Sequence, residues 1–340
     1  EFRRVLFRSG PQDKEVEQDV KLRYAQLRKQ ARESPSGVAG FNVPTQSALD
    51  VSAEQREAAY QQRWDWGGIG LTRSFNDILF NKEANKTASD FVVRKMREIV
   101  RDPKVADLLT PIYPIGTKRL CADTGYYQTF NRDNVTLVDI RNSPLESIRG
   151  NTLYTKENHY EIDALILATG FDAMTGALMA VDIGVENGPS LRDLWVDGPK
   201  AYLGLMVAGL PNFFMVTGPG SPSVLSNVVV SIEQHVDFIT DCLTYMSKRR
   251  LSRIDANLQA QNDWTQHVTD LASKSLLATA ASWYTGANVP GKPRIFMPYM
   301  GGVGVFRAHC EEVASQGYTG FSFSKAKTDL IKKTASSQKE

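Results

Sequence analysis

The chain has 340 residues, 42% of them hydrophobic and 23% charged, a balance that supports a buried core with room for two or more domains. Forty Lys and Arg against thirty-eight Asp and Glu leave a formal charge of +2, which gives neither nucleic acid nor a membrane surface an electrostatic footing as partner. No apolar stretch approaches the ~18 residues of a membrane span, and the scattered Cys121, Cys242 and Cys310 fit a reducing compartment, so the chain reads as cytoplasmic and its chemistry as that of small molecules.

In chain order, the opening EFRRVLFRSG has no capping logic and reads as a non-native extension over residues 1–10. Val16, Val20, Tyr24 and Leu27 recur near helical period on a charged background, which predicts one amphipathic surface helix over Glu15 to Glu33, stopped by Ser34-Pro35-Ser36-Gly37. Ser52 and Gln55 form a capping-box pattern for a second helix. A third runs from Ala88 to Val100, and Asp102-Pro103 starts a short fourth with proline in its first turn. Two prolines and a glycine in TPIYPIG, residues 110–116, then make a stiff link.

Beyond the link the texture is that of strands: Val135 to Ile140, a weaker one over Ser147 to Tyr154, and a short buried one over Ala164 to Ala168 that ends at Thr169-Gly170. Tyr202 to Ala208 and Phe213 to Val216 are further apolar runs, and helical spacing returns over Ile232 to Met246 and about Gln261 to Leu277. Strands followed by helices predict an α/β architecture.

Four places could carry chemistry. Lys118-Arg119 stands at the entry to the sheet region; on an exposed strand the two would face opposite sides, either as a solvated basic pair or as a contact for an anion such as a nucleotide phosphate. The loop from Gly218 to Ser226 follows one apolar run and precedes a helix, and Thr169-Gly170 follows another; ligands of open α/β sheets gather at such strand ends. Trp283, in SWYTGANVPGKPR, either packs against its own chain or stacks on a ligand. The isolated His159, His235, His267 and His309 are assigned no chemistry. No GxGxxG occurs: the pairs Gly68/Gly70, Gly218/Gly220 and Gly302/Gly304 have Arg73, Ser223 and Arg307 where a third glycine belongs.

The ordered set KRLCADTGYYQTFNRDNVTLVD, DALILATGFDAMTGAL, YLGLMVAGLPNFFMVTGPGSPSVLSN and SWYTGANVPGKPR resembles the C-terminal part of Baeyer-Villiger monooxygenases, over about Val16 to Phe323. The resemblance implies an FAD- and NADPH-dependent enzyme that inserts one oxygen atom of O2 beside a ketone carbonyl, through a flavin peroxide, to give an ester or lactone. It implies that Arg119 is the active-site arginine, which also borders NADPH, that Lys118 meets the 2′-phosphate of NADPH, and that Trp283 touches that cofactor from a loop. It further implies that Ser223, Val224 and Leu225 shape the ketone pocket, and that Val228, Thr169 and Gly170 lie near FAD.

The fold implied is α/β: the returning halves of two dinucleotide-binding domains, for FAD and NADPH, plus a helical insertion, with the N-terminal Rossmann units missing. The family's layout gives residues 11–115 as the helical subdomain, 116–165 as part of the NADPH domain, 166–325 as part of the FAD domain and 326–340 as a disordered tail. Two other readings stay open: a catalytically silent truncated module, and a flavin-containing N- or S-monooxygenase.

Overall fold

The computed structural model describes residues 13–40, 43–67, 70–121 and 124–325. The proposed extension at 1–10, the proposed tail at 326–340, Gly68 and Ile69 of the first glycine pair, and Ala122 and Asp123 of the first family motif lie outside the described residues. The chain divides into two compact units.

The N-terminal helices count with the second unit. The helix expected over Glu15 to Glu33 is two helices, α1 (Lys14–Leu22) and α2 (Tyr24–Glu33), because the chain breaks helical geometry at Arg23 (φ −98°, ψ 11°). Neither buries a residue fully, as their charge density requires.

The first unit spans Pro44–Phe171. Helix α3 (Ala53–Trp66) begins at the expected box: Ser52 Oγ accepts from the Gln55 amide, and the Gln55 side chain accepts from the Ser52 amide at 3.0 Å. Helix α4 (Lys82–Ile99) starts six residues before its expected N-terminus, because Asn81 caps Glu83 and Ala84 and the polar first turn adds no apolar signal. Helix α5 (Pro103–Leu109) opens on its proline. Tyr60, Phe75, Ile78 and Phe91 close the core between these elements; full burial of such side chains contributes ~1.5–3 kcal/mol each.

The strands of this unit depart from expectation. The weaker strand over Ser147 to Tyr154 is a hairpin, β1 (Leu145–Arg149) paired antiparallel with β2 (Thr152–Thr155), to which β3 (His159–Glu161) adds on the far side of β2. Val135 to Ile140 pairs with nothing among the described residues. Ala164 to Ala168 is neither buried nor in a ladder: Ile166 is 87% and Leu167 74% exposed. Their β-type composition is that of strands covered on both faces, and the neighbours that would cover them are not among the described residues.

The second unit runs from Asp172 onward. Its core gathers Phe238, Cys242 and Met246 from α6 (Val228–Lys248), Ile254 from β4 (Arg253–Ala256), Trp264 and Val268 from α7 (Leu258–Ser273), Phe306 and Cys310 from α8 (Val303–Ser315), and Phe321 from β5 (Phe321–Ser324). β4 and β5 pair antiparallel. The helix expected to reach Leu277 ends at Ser273, and a separate helical turn covers Leu276–Thr279.

Tyr202 to Ala208 is a packed turn that folds back on itself through the Tyr202 amide and the Met206 carbonyl (2.8 Å), and Phe213 to Val216 is irregular backbone tied to it by the Met215 amide and the Leu205 carbonyl (2.7 Å). α2 reaches this unit through α8. Gly304 sits against the Glu33 carbonyl, where any Cβ would collide, and the Val303 amide donates to the Pro35 carbonyl at 3.0 Å.

Candidate functional site

In the first unit, the link before Lys118 is clamped to α4 by a residue 30 positions upstream. Asn85 is 2% exposed and its amide is fully engaged: Nδ2 donates to the carbonyls of Ile78 (2.8 Å) and Ile115 (2.9 Å), while Oδ1 accepts from the Ile115 amide (3.0 Å) and from the Ser89 hydroxyl (3.2 Å). Gly116 follows at φ +80°, and a Cβ there would fall 2.6 Å from Thr72 and 2.7 Å from Leu79. The fully buried Thr117 closes the turn through its hydroxyl to the Pro114 carbonyl (2.7 Å).

Lys118 and Arg119 leave this turn as irregular backbone, correcting the expectation of an exposed strand. The Lys118 ammonium lies 4.4 Å above the Tyr113 ring, a cation–π contact that leaves its three donors available, and Arg119 is exposed. Asn85→Leu keeps the volume but removes the side-chain donor to the Ile78 and Ile115 carbonyls and leaves the Ile115 amide only its longer bond to Ser89 Oγ at 3.3 Å. We expect it to cost on the order of 3 kcal/mol in denaturant unfolding; a cost below about 1 kcal/mol would rule out the clamp. Thr169 and Gly170 lie in the same unit, both exposed, with Gly170 at φ +85°.

In the second unit, the segment from Thr217 to Ser226 is held along its length. The Thr217 amide donates to Nδ1 of the fully buried His235 (2.9 Å), and Trp264 Nε1 donates to the Gly220 carbonyl (3.0 Å). The Gly220 amide reaches the Met297 carbonyl, and the Tyr299 amide the Ser221 carbonyl, both at 2.7 Å. Ser226 Oγ meets Ser231 Oγ at 2.9 Å.

Within this frame Ser223 is 2% exposed at φ +32°, with Oγ 3.7 Å from Met174 Sδ, while Val224 and Leu225 are half-buried. Val228 is the first residue of α6 and half-buried, capped by Asn227. Trp283 opens a short helical turn, Trp283–Thr285, its ring centroid 4.4 Å from that of Tyr284. The loop it heads closes on Lys292, whose ammonium pairs with Asp172 and reaches the Ala173 carbonyl at 3.5 Å.

The structure thus groups Ser223, Val224, Leu225 and Val228 on one anchored segment, gives Trp283 to another loop of the same unit, and gives Lys118, Arg119, Thr169 and Gly170 to the first unit.

No protein-family model matches the chain. Cyclohexanone 1,2-monooxygenase of an Acinetobacter species is 38% identical over 293 residues, 85% of this chain and 53% of the relative. Among solved structures, an oxidized steroid monooxygenase bound to NADP is 43% identical with a TM-score of 0.86, and cyclohexanone monooxygenase from Rhodococcus sp. Phi1 bound to NADP+ is 35% identical with a TM-score of 0.89. Each covers 93% of this chain and 59% of its own. The chain belongs to the Baeyer-Villiger monooxygenase family.

It spans a little over half the length of the family members it matches, and its mixed α/β fold is the family's fold over that portion. Sequence reading passed over Asn85, Lys292 and the structural part played by His235. The only signals were a polar residue on the apolar side of a helix for Asn85 and a histidine inside an apolar helical stripe for His235.

Proposed function

We propose that this chain is the C-terminal portion of an FAD- and NADPH-dependent monooxygenase that inserts one oxygen atom of O2 beside a ketone carbonyl, giving an ester or lactone. The observation that carries the reading is the clamped turn delivering Lys118 and Arg119, in a chain whose solved relatives are bound to NADP.

The residues fit the nicotinamide cofactor at its anionic end: a lysine held over Tyr113 by its charge and an arginine beside it suit a phosphate. The flavin finds here the anchored segment with Ser223 to Leu225 and Val228, but no glycine-rich loop for its pyrophosphate. When bound, the reduced flavin supplies the activation of O2. Lys118 holds the 2′-phosphate as a point charge. The Arg119 guanidinium stabilises negative charge as it develops on the reacting oxygens. Ser223, Val224 and Leu225 orient the ketone, and Trp283 covers the nicotinamide side. The layout 11–115, 116–165 and 166–325 is adopted as the division into helical, NADPH and FAD parts.

The test is the full-length protein: yellow when purified, oxidising NADPH faster with a ketone present, and yielding ester by gas chromatography. A full-length protein that is colourless, or that consumes NADPH without ester, defeats the reading. Lys118→Ala removes a charge-assisted contact worth ~1.5–3 kcal/mol, so NADPH binding is expected to weaken by roughly 10- to 150-fold with NADH binding little changed. An unchanged preference for NADPH over NADH, measured by titration, would remove Lys118 from this role.

For the 340 residues alone we propose a silent module. Ile166 and Leu167 are uncovered, and the chain has no loop for either pyrophosphate, so it is expected to be colourless.

A further inference from the structure

The loop of the proposed ketone pocket is gripped at both ends by one face of one helix. Ser231 and His235 stand one turn apart on α6, so their side chains project from the same side. Ser231 is 2% exposed and meets the Ser226 hydroxyl, at the C-terminal end of the loop. His235 is completely buried and accepts the Thr217 amide, at the N-terminal end. Between these two anchors lie Ser223, Val224 and Leu225.

The grip at His235 has a definite chemical form. Nδ1 accepts a backbone hydrogen, so the ring proton sits on Nε2, and Nε2 has no hydrogen-bond partner among the described residues. Burial pushes the imidazole down to about 4, which keeps it neutral and able to accept through the working range. The backbone it holds is one that threonine rarely adopts: Thr217 has φ +56°. A buried histidine that leaves one nitrogen unsatisfied while fixing an unfavourable backbone is a poor way to fill a core. A leucine would fill similar space without the unsatisfied Nε2–H, but would leave the Thr217 amide without its acceptor, so the histidine is there for the loop.

We propose that His235, assisted by Ser231, is a positioning residue that sets the departure angle of the 217–226 loop and thereby which ketones the pocket accepts. This rests on the reading that Ser223 to Leu225 line the ketone pocket. His235 acts through the Thr217 amide and touches neither substrate nor cofactor.

The test uses the full-length, flavin-loaded protein and two readouts: hydrogen–deuterium exchange over residues 216–222, and the ratio of kcat/KM for a small cyclic ketone to that for a bulky aryl ketone. His235→Leu removes the acceptor, so exchange is expected to quicken roughly tenfold or more. The ketone ratio is expected to move by roughly fivefold or more with flavin content unchanged. His235→Asn places Oδ1 close to where Nδ1 was and is expected to restore both. Should the leucine variant not fold, Ser231→Ala releases the other end of the loop and is expected to shift the ketone ratio in the same way.

An asparagine variant indistinguishable from the leucine one would reduce the histidine to a packing residue and overturn the proposal. Faster exchange with an unmoved ketone ratio would overturn it as well. Failure of the underlying pocket reading shows elsewhere: substitutions at Val224 and Leu225 would then leave the ketone ratio untouched in an otherwise active protein.

Discussion

Arg119→Ala in the full-length protein is expected to lower ester formation by roughly 10²- to 10³-fold or more, the loss that follows removal of one preorganised group facing developing charge. Flavin reduction by NADPH, followed as bleaching of the flavin absorbance, is expected to remain measurable, because that step needs the cofactor bound rather than an anion stabilised. The split separates a catalytic arginine from a general phosphate contact. If Arg119 served only to hold NADPH, reduction would fail first and ester formation would recover at saturating NADPH. Arg119→Lys retains charge but loses the planar fork, and is expected to recover little. Ester formation at the normal rate by Arg119→Ala would remove the arginine from the reaction.

Acid is expected to loosen the second unit through His235. In the unfolded chain its imidazole takes up a proton near pH 6.5, whereas in the folded protein burial delays this to about pH 4. Between these values the unfolded state binds more protons. Stability from this group is therefore complete above about pH 6.5 and drains away as pH falls toward 4. The gap corresponds to a loss on the order of 3 kcal/mol, with a slope approaching ~1.4 kcal/mol per pH unit in mid-window.

Burial also lowers His309, so the trend in the wild type has more than one source. The informative comparison is with His235→Asn, which has no proton to take up at that site. Its denaturant midpoint is expected to fall less between pH 7 and pH 4.5. Parallel curves for the two proteins would show that His235 is not held neutral by the fold.

The contrast between what could be read in the sequence and what could not follows the range of the interactions. Helix α3 was legible because its start signal lies within four residues, Ser52 to Gln55, and α5 because Asp102-Pro103 is self-contained. The strands were misread for the opposite reason. Val135 to Ile140 and Ala164 to Ala168 have the composition of central strands, and composition reports what a segment would pack against rather than whether that partner is present. The hairpin at Leu145 to Thr155 was merged into one strand because the Gly150-Asn151 turn was passed over.

At the proposed site, Lys118, Arg119 and Trp283 stood out by position and residue type, but the roles proposed for them came from the resemblance, since an adjacent lysine and arginine are ordinary on any surface. Asn85 was invisible because its three bonds to backbone span seven and thirty residues, and no local pattern encodes such a distance.

The uncovered run from Leu165 to Leu167 also decides how this polypeptide behaves as a material. Backbone outside any ladder, carrying leucine and isoleucine side chains in water, can act as a template for strands from other molecules. Its colloidal behaviour is then governed by a few residues, and a formal charge of +2 offers little repulsion to keep copies apart. The same template accepts a correct partner as readily as a wrong one.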